Sequence, residues 1–357
     1  MHTPDATRRL LDLLQIDWPI FQAPMAGVST PQMAAAVSNA GGLGALGVGA
    51  MRAAAAAQAI ETFQALSQRS LNVNVFCHAP ARPDPAREAA WIDRLRPQFS
   101  ALHAHPPTTL SEIYTSFIVD EAMFTTLLDA RPAVVSFHFG LPRPEWIRAL
   151  REARVVVFAT ATSLAEARRC VEAGVQVIVA QGYEAGGHRG IFDPEGRDDR
   201  LGTVALVRIL TRVLSVPVIA AGGIMDGQGI AAALQLGAAA AQLGTAFVAT
   251  DESAADAGYR GALESDAAHH TVMTHVISGR PARCLANRFT ALAAQIHADE
   301  VPAYPIAYDA GKALHGAAKA AGESGFGAQW AGQGAPLARR LGAGALVAAL
   351  VQELTLS

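Results

Sequence analysis

Eight short apolar runs, at residues 19–24, 42–48, 71–76, 133–139, 154–159, 175–180, 216–221 and 239–243, alternate with stretches of helical pattern. No other feature of the chain narrows its fold more. Parallel strands need a long crossover between them, and a helix is the usual crossover. The runs are apolar on both faces, as parallel strands buried on two sides must be. Helix signals stand between them: Thr30 before Pro31 with Gly41 as the stop, a capping box at Ser163 and Glu166 closed by Gly174, and Asp226 with Gly237 as the stop. Eight such units in about 250 residues fit a closed barrel better than an open doubly wound sheet. The expected class is α/β, a (β/α)8 TIM barrel.

The alternation stops near Thr250. The expected organisation is a barrel over residues 1–250, a small helical second domain without a clear strand over 251–335, and a helix over 336–357 returning to the barrel wall. Half of the 357 residues are hydrophobic and 17% are charged, so a large core is available. The net charge of −3 offers no basic field to nucleic acid. The glycine-rich apolar run at 40–51 is too short to span a bilayer. Cys77, Cys170 and Cys284 are scattered and form no CxxC, which argues against a disulfide framework or a zinc site. The opening MHTPDATRRLLDLLQ reads as a short amphipathic helix with no signal core. A soluble, reduced, cytoplasmic protein is expected, with a small-molecule partner, no nucleic acid and no membrane.

Chemistry concentrates where strands end. Residues 181–190, QGYEAGGHRG, follow the sixth run, at the rim where barrels place their sites. Glycines beside His188 let backbone approach a flat ring, and the imidazole can serve as base or donor. The plain alternative is a flexible surface loop with a solvated histidine. The seventh run ends at Gly222 and Gly223, and the eighth at Gln242, Leu243, Gly244 and Thr245. Barrels bind phosphate between these two tips. Ala23, Pro24 and Met25 end the first run and either line a ring or make an ordinary turn. Asn74 and His138 are polar on apolar strands, so each is either a core hydrogen bonder or a ligand contact. Gly42, Gly44 and Gly47 match G-x-G-x-x-G, but a helix precedes them and no acid lies between Trp18 and Ile60, so no dinucleotide site is read there. His269, His270 and His275 have no partner ligands at metal spacing, and no G-x-S-x-G elbow occurs.

At these residues the chain resembles the nitronate monooxygenase family, the former 2-nitropropane dioxygenases, with class I-like features. The likeness runs through PIFQAPMAG, NVNVF, VVSFHFG, QGYEAGGHRG, PVIAAGGI, AAQLGTAF and WAGQGAPLARRL, and thus over nearly the whole chain. It implies noncovalent FMN: Ala23, Pro24 and Met25 along the ring, Asn74 and Gln181 in contact, Gly186 and Gly187 packed beside it. Gly222, Gly223, Gln242, Leu243, Gly244 and Thr245 would cradle its phosphate. It implies His188 as the active-site histidine. VSFHFG and AYPIAYDAGK resemble the members that oxidise propionate 3-nitronate, which implies a substrate pocket of His138, Tyr114, Tyr304, Tyr308 and Lys312. The implied reaction passes one electron from a nitronate to the flavin, with O2 taken up and carbonyl compound and nitrite released. The implied protein is a monomer or homodimer. A flavin-dependent NAD(P)H oxidoreductase, such as a quinone or enoyl-thioester reductase, shares such a barrel; a non-catalytic flavin sensor is a third reading.

Overall fold

The computed structural model describes residues 5–356. Eight parallel strands form the barrel: β1 (Ile20–Gln22), β2 (Gly44–Gly47), β3 (Leu71–Phe76), β4 (Val134–His138), β5 (Val156–Ala161), β6 (Val177–Gln181), β7 (Val218–Ala221) and β8 (Ala240–Leu243). They pair in chain order from β2 to β8, and β8 pairs with β1. A parallel bridge from Phe21 to Leu43 joins β1 to β2 and closes the ring. The TIM barrel expected from the alternation is the observed fold. Its register sets Phe76 against His138 and Gln181 against Ala221, so these residues share one rim.

Inside the barrel, Phe21, Val134, Phe158, Val177 and Ile219 pack together, and Leu10 and Leu14 of the helix Asp5–Leu14 plug the end where the strands begin. The rest of the expected N-terminal helix, residues 1–4, and the final residue 357 lie outside the described residues. A larger apolar layer fills the space between strands and outer helices. Thr30, Ser163 and Asp226 each accept an amide hydrogen bond at the expected helix start. The capping box is only half formed. Ser163 accepts from the Glu166 amide, but the Glu166 carboxylate turns to the Thr162 amide at 2.7 Å and the Phe192 amide at 2.9 Å.

Gly42, Gly44 and Gly47 serve packing. A Cβ on Gly44 would stand 2.0 Å from the Ala34 carbonyl oxygen, and one on Gly42 would stand 2.7 Å from that of Ile20. The strand therefore approaches the helix Pro31–Asn39 closer than any side chain permits.

The segment after the barrel corrects the sequence expectation of a strandless region. Thr271–Thr274 and Ala282–Leu285 pair antiparallel, and Ala282–Leu285 pairs in turn with Gly187–His188 of the loop after β6. These strands are only two to four residues long, and Gly187–His188 pairs with a segment far off in sequence, so no local alternation announces them. A separate apolar cluster joins Phe289, Leu314 and Phe326 to Trp91, Leu95 and Phe99 of the helix Pro85–Ala101. The connection between β3 and β4 thus rises to meet the second region. The last helix begins at Ala343, later than the expected 336, after a single 3-10 turn at Ala335–Leu337. It packs on the helices Gly227–Gln235 and Pro31–Asn39 of the barrel wall. Among the described residues no helix is long and apolar enough to cross a membrane.

Candidate active site

A cavity of about 630 Å³ opens at the rim where the strands end, roofed by the second region. It is lined by Ala23, Pro24 and Met25 after β1, Asn74, His138 and Gln181 on β3, β4 and β6, and Gly186, Gly187 and His188 of the loop. Gly222, Gly223, Gln242, Gly244 and Thr245 line it from β7 and β8, and Tyr114, Tyr304, Tyr308 and Lys312 from the opposite side. Every candidate site residue reaches this one cavity except Leu243. The Leu243 side chain is buried in the outer apolar layer, and its carbonyl accepts from the Ala23 amide at 2.8 Å.

The loop after β6 is anchored at several points, which overturns the surface-loop alternative. Arg189, 2% exposed, donates to the Gln181 carbonyl at 2.6 Å and makes a two-pronged pair with Asp198, both contacts 2.9 Å. Burial alone would raise the Asp198 pKa, but the hydrogen bonds from Arg189 and the Arg200 amide outweigh it and hold it below the usual range. Arg283 donates to the Tyr183 carbonyl at 2.9 and 3.1 Å. A Cβ on Gly186 would stand 2.5 Å from the Gly332 nitrogen, so only glycine lets the two segments meet.

His188 is held at its tip, where Nε2 lies 2.8 Å from Ser278 Oγ. The Trp330 and Tyr304 rings flank it at centroid distances of 5.0 and 5.4 Å. Phe139 stands edge-on to it at 5.7 Å. Phe139 has φ +72°, a left-handed conformation that costs a bulky residue on the order of 1–3 kcal/mol and is tolerated where surroundings impose it. Arg280 covers the Phe139 ring at 4.3 Å. Ser278, Arg280, Phe139 and Trp330 were not singled out in the sequence. The one available signal was WAGQGAP, because a tryptophan amid turn residues has little reason to be there except to cover something.

Two candidate residues, His138 and Gln181, spend their polar side-chain atoms inside the protein. Both ring nitrogens of His138 are taken up by protein atoms, Thr160 Oγ1 at 3.0 Å and the His188 carbonyl at 3.2 Å. The Tyr304 hydroxyl is buried with no protein partner, although the residue lines the cavity. Gln181 likewise spends its side-chain amide on the loop, donating to the His188 carbonyl at 3.0 Å and accepting from Gly190 N at 2.7 Å. Asn74 donates to Ser136 Oγ and O at 2.9 and 3.0 Å, which leaves its oxygen free to accept. Lys312 is exposed at the mouth, with Nζ 5.1 Å above the Tyr114 ring and 5.5 Å above that of Tyr308. No carboxylate among the described residues pairs with it within 4.0 Å.

The three histidines at and behind the cavity wall are held neutral. Burial, then the charge of Arg280, lowers the His78 pKa to about 4; burial, then His138, Arg280 and His78, lowers that of His188 to about 3. Burial lowers His138 to about 4, against its backbone hydrogen bond and with help from Arg280 and Arg189. Unfolded, these rings take up protons near 6.5. The folded state refuses them until far lower pH, so their contribution to stability is full above pH 6.5 and is lost as pH falls toward 4. The urea midpoint should drop between about pH 7.5 and about pH 5, with a shallower drop in His78→Phe. An unchanged slope in that variant would mean that His78 is protonated within the fold.

The residues fit a flavin. Gly222 and Gly223 have φ of +128° and +72°, and among the described residues no protein acceptor meets the amides of Gly223, Gly244 and Thr245. Free amides on two adjacent strand tips suit a phosphate. A cavity of this size, with apolar and glycine walls and few polar groups, suits a flat heteroaromatic ring with space beside it.

The model of the nitronate monooxygenase family matches residues 7–353. A nitronate monooxygenase of Paraburkholderia phytofirmans is 60% identical over 97% of this chain and 95% of its own length. One from Pseudomonas aeruginosa is 52% identical over 98% and 99%. The solved structure of nitroalkane oxidase from Streptomyces ansochromogenes superposes with a TM-score of 0.88 at 40% identity, covering 97% of each chain. Fold, rim chemistry and sequence agree throughout: this chain belongs to the nitronate monooxygenase family.

Proposed function

We propose that the protein binds FMN in this cavity and oxidises alkyl nitronates, propionate 3-nitronate among them, with O2 to a carbonyl compound and nitrite. The observation that carries this reading is the pairing within one cavity of an unpaired cation, Lys312, with a neutral histidine, His188, opposite glycine-lined strand tips. A nitronate is a small anion. Lys312 draws it to the mouth and holds its negative end. Tyr114, Tyr308 and Trp330 wall the pocket with aromatic surface and exclude water from the reacting carbon. FMN, when bound, supplies the electron-accepting ring. His188 stays neutral at working pH, so it offers a hydrogen bond without adding a full charge. Ser278 Oγ occupies His188 Nε2 and also lies within reach of the Arg280 carbonyl, so Nδ1 is the ring nitrogen left to face the substrate.

The deciding experiment mixes the yellow protein anaerobically with a nitronate, with a neutral nitroalkane, and with NADH or NADPH. Loss of the oxidised-flavin spectrum to a one-electron-reduced form on adding the nitronate, followed by O2 uptake and nitrite release on admission of air, is the expected result. Bleaching by NADH or NADPH alone would move the protein to the reductase reading. An unchanged flavin spectrum with all of them would leave a flavin binder. In the same assay Lys312→Met should raise the KM for a carboxylate-bearing nitronate about tenfold or more with a smaller change in kcat, since a lost attraction acts mainly on binding.

A further inference from the structure

His138 is the one polar residue of the expected substrate pocket whose polar atoms are wholly used up inside the protein, and its partners form a chain. Nε2 lies 3.2 Å from the His188 carbonyl oxygen, and a carbonyl has no hydrogen to give, so Nε2 carries the proton. In a neutral imidazole the other nitrogen is then a bare acceptor. The Thr160 hydroxyl, 3.0 Å from Nδ1, must therefore be the donor. Burial keeps the ring neutral, which the tautomer assignment requires.

The His188 carbonyl also receives Gln181 Nε2 at 3.0 Å, so both of its lone pairs are filled, and Gln181 Oε1 takes the Gly190 amide at 2.7 Å. Thr160, His138 and Gln181 sit on three adjacent strands, β5, β4 and β6. The loop presses on this group tightly: a Cβ on Gly190 would stand 2.7 Å from Thr160 Cγ2 and 2.9 Å from His138 Cε1. Three rigid strands thus grip the backbone of His188 from below, while Ser278 holds its ring from above.

We infer that Thr160 and His138 form a positioning strut for His188: Thr160 fixes the His138 tautomer, and His138 Nε2–H fixes the His188 carbonyl, with no polar contact from His138 to substrate. The inference rests on the proposed role of His188 for its kinetic consequence, but its geometry is independent of that role. A rigid strand is a better mount than a loop for a group that must be placed to within a fraction of an ångström.

Two measurements test it. Nitrogen NMR of protein labelled in its histidines, with the His138 signals identified by their loss in His138→Gln, should show the proton on Nε2 and a hydrogen-bonded, unprotonated Nδ1. In Thr160→Val the Nδ1 resonance should shift. A proton on Nδ1 in the native protein would overturn the strut. In steady-state assays, Thr160→Val and His138→Phe should lower kcat about tenfold or more, the cost of a misplaced group, while anaerobic nitronate Kd stays within about twofold. Thr160→Ser and His138→Gln, which restore a hydroxyl and a side-chain N–H, should recover most of the loss. A Kd that rises as much as kcat/KM falls would make His138 a substrate contact and overturn the inference. Should His138→Phe fail to fold, the near-isosteric Thr160→Val still decides. Should no nitronate be turned over, the proposed function fails, while the NMR result still stands or falls alone.

Discussion

His188→Ala is expected to keep its flavin and lose turnover by at least about a hundredfold, the range over which a positioned acid–base or hydrogen-bonding side chain contributes. Flavin should be retained because the imidazole is tethered to Ser278 of the second region and stands apart from the glycine tips of β7 and β8. The change also removes a ring packed against Trp330 and Tyr304, so the purified variant should be checked by thermal melting before rates are compared. Comparing kcat and nitronate Kd then separates a lost chemical role from a collapsed pocket. Undiminished kcat would take His188 out of the reaction altogether.

Gly223→Val should give a folded but colourless protein. Gly223 has φ +72°, a conformation that β-branched residues avoid. Space is not the obstacle, since the nearest atom to a Cβ there would be Glu184 Cβ at 3.4 Å. The backbone would instead rotate and turn the Gly223 amide away from the phosphate position. Losing one or two amide hydrogen bonds to a charged group costs about 3 kcal/mol, which is roughly a hundredfold in FMN Kd. Titration of the apoprotein followed by flavin fluorescence measures this directly. Native affinity in Gly223→Val would place the phosphate elsewhere in the cavity.

The parts of this site that the sequence disclosed share a property. They are backbone features at strand ends: Gly222 and Gly223 after β7, Gly244 and Thr245 after β8, and the glycines around His188 after β6. Glycine at a strand tip is informative by itself, because the rim of a parallel barrel is where ligands bind and glycine is what lets backbone face them. Side-chain roles were less legible. His138 and Gln181 line the cavity as expected, but the direction of each polar atom depends on partners at Thr160, His188 and Gly190 that only folding brings within reach. Ser278 and Trp330 lie some 90 to 140 residues from His188 and carry no motif linking them to it.

The chain alone determined the barrel, since eight apolar runs separated by capped amphipathic stretches have few other ways to bury both faces of every strand, and that burial is a local matter of pattern and turn chemistry. Tertiary structure decided the second region and the arming of the histidine. The two-residue strand Gly187–His188 exists only because Ala282–Leu285 is there to pair with it. A strand that short has no propensity of its own; its ladder partner lies nearly a hundred residues away, and the remaining hold on the His188 backbone comes from side chains of β4 and β6.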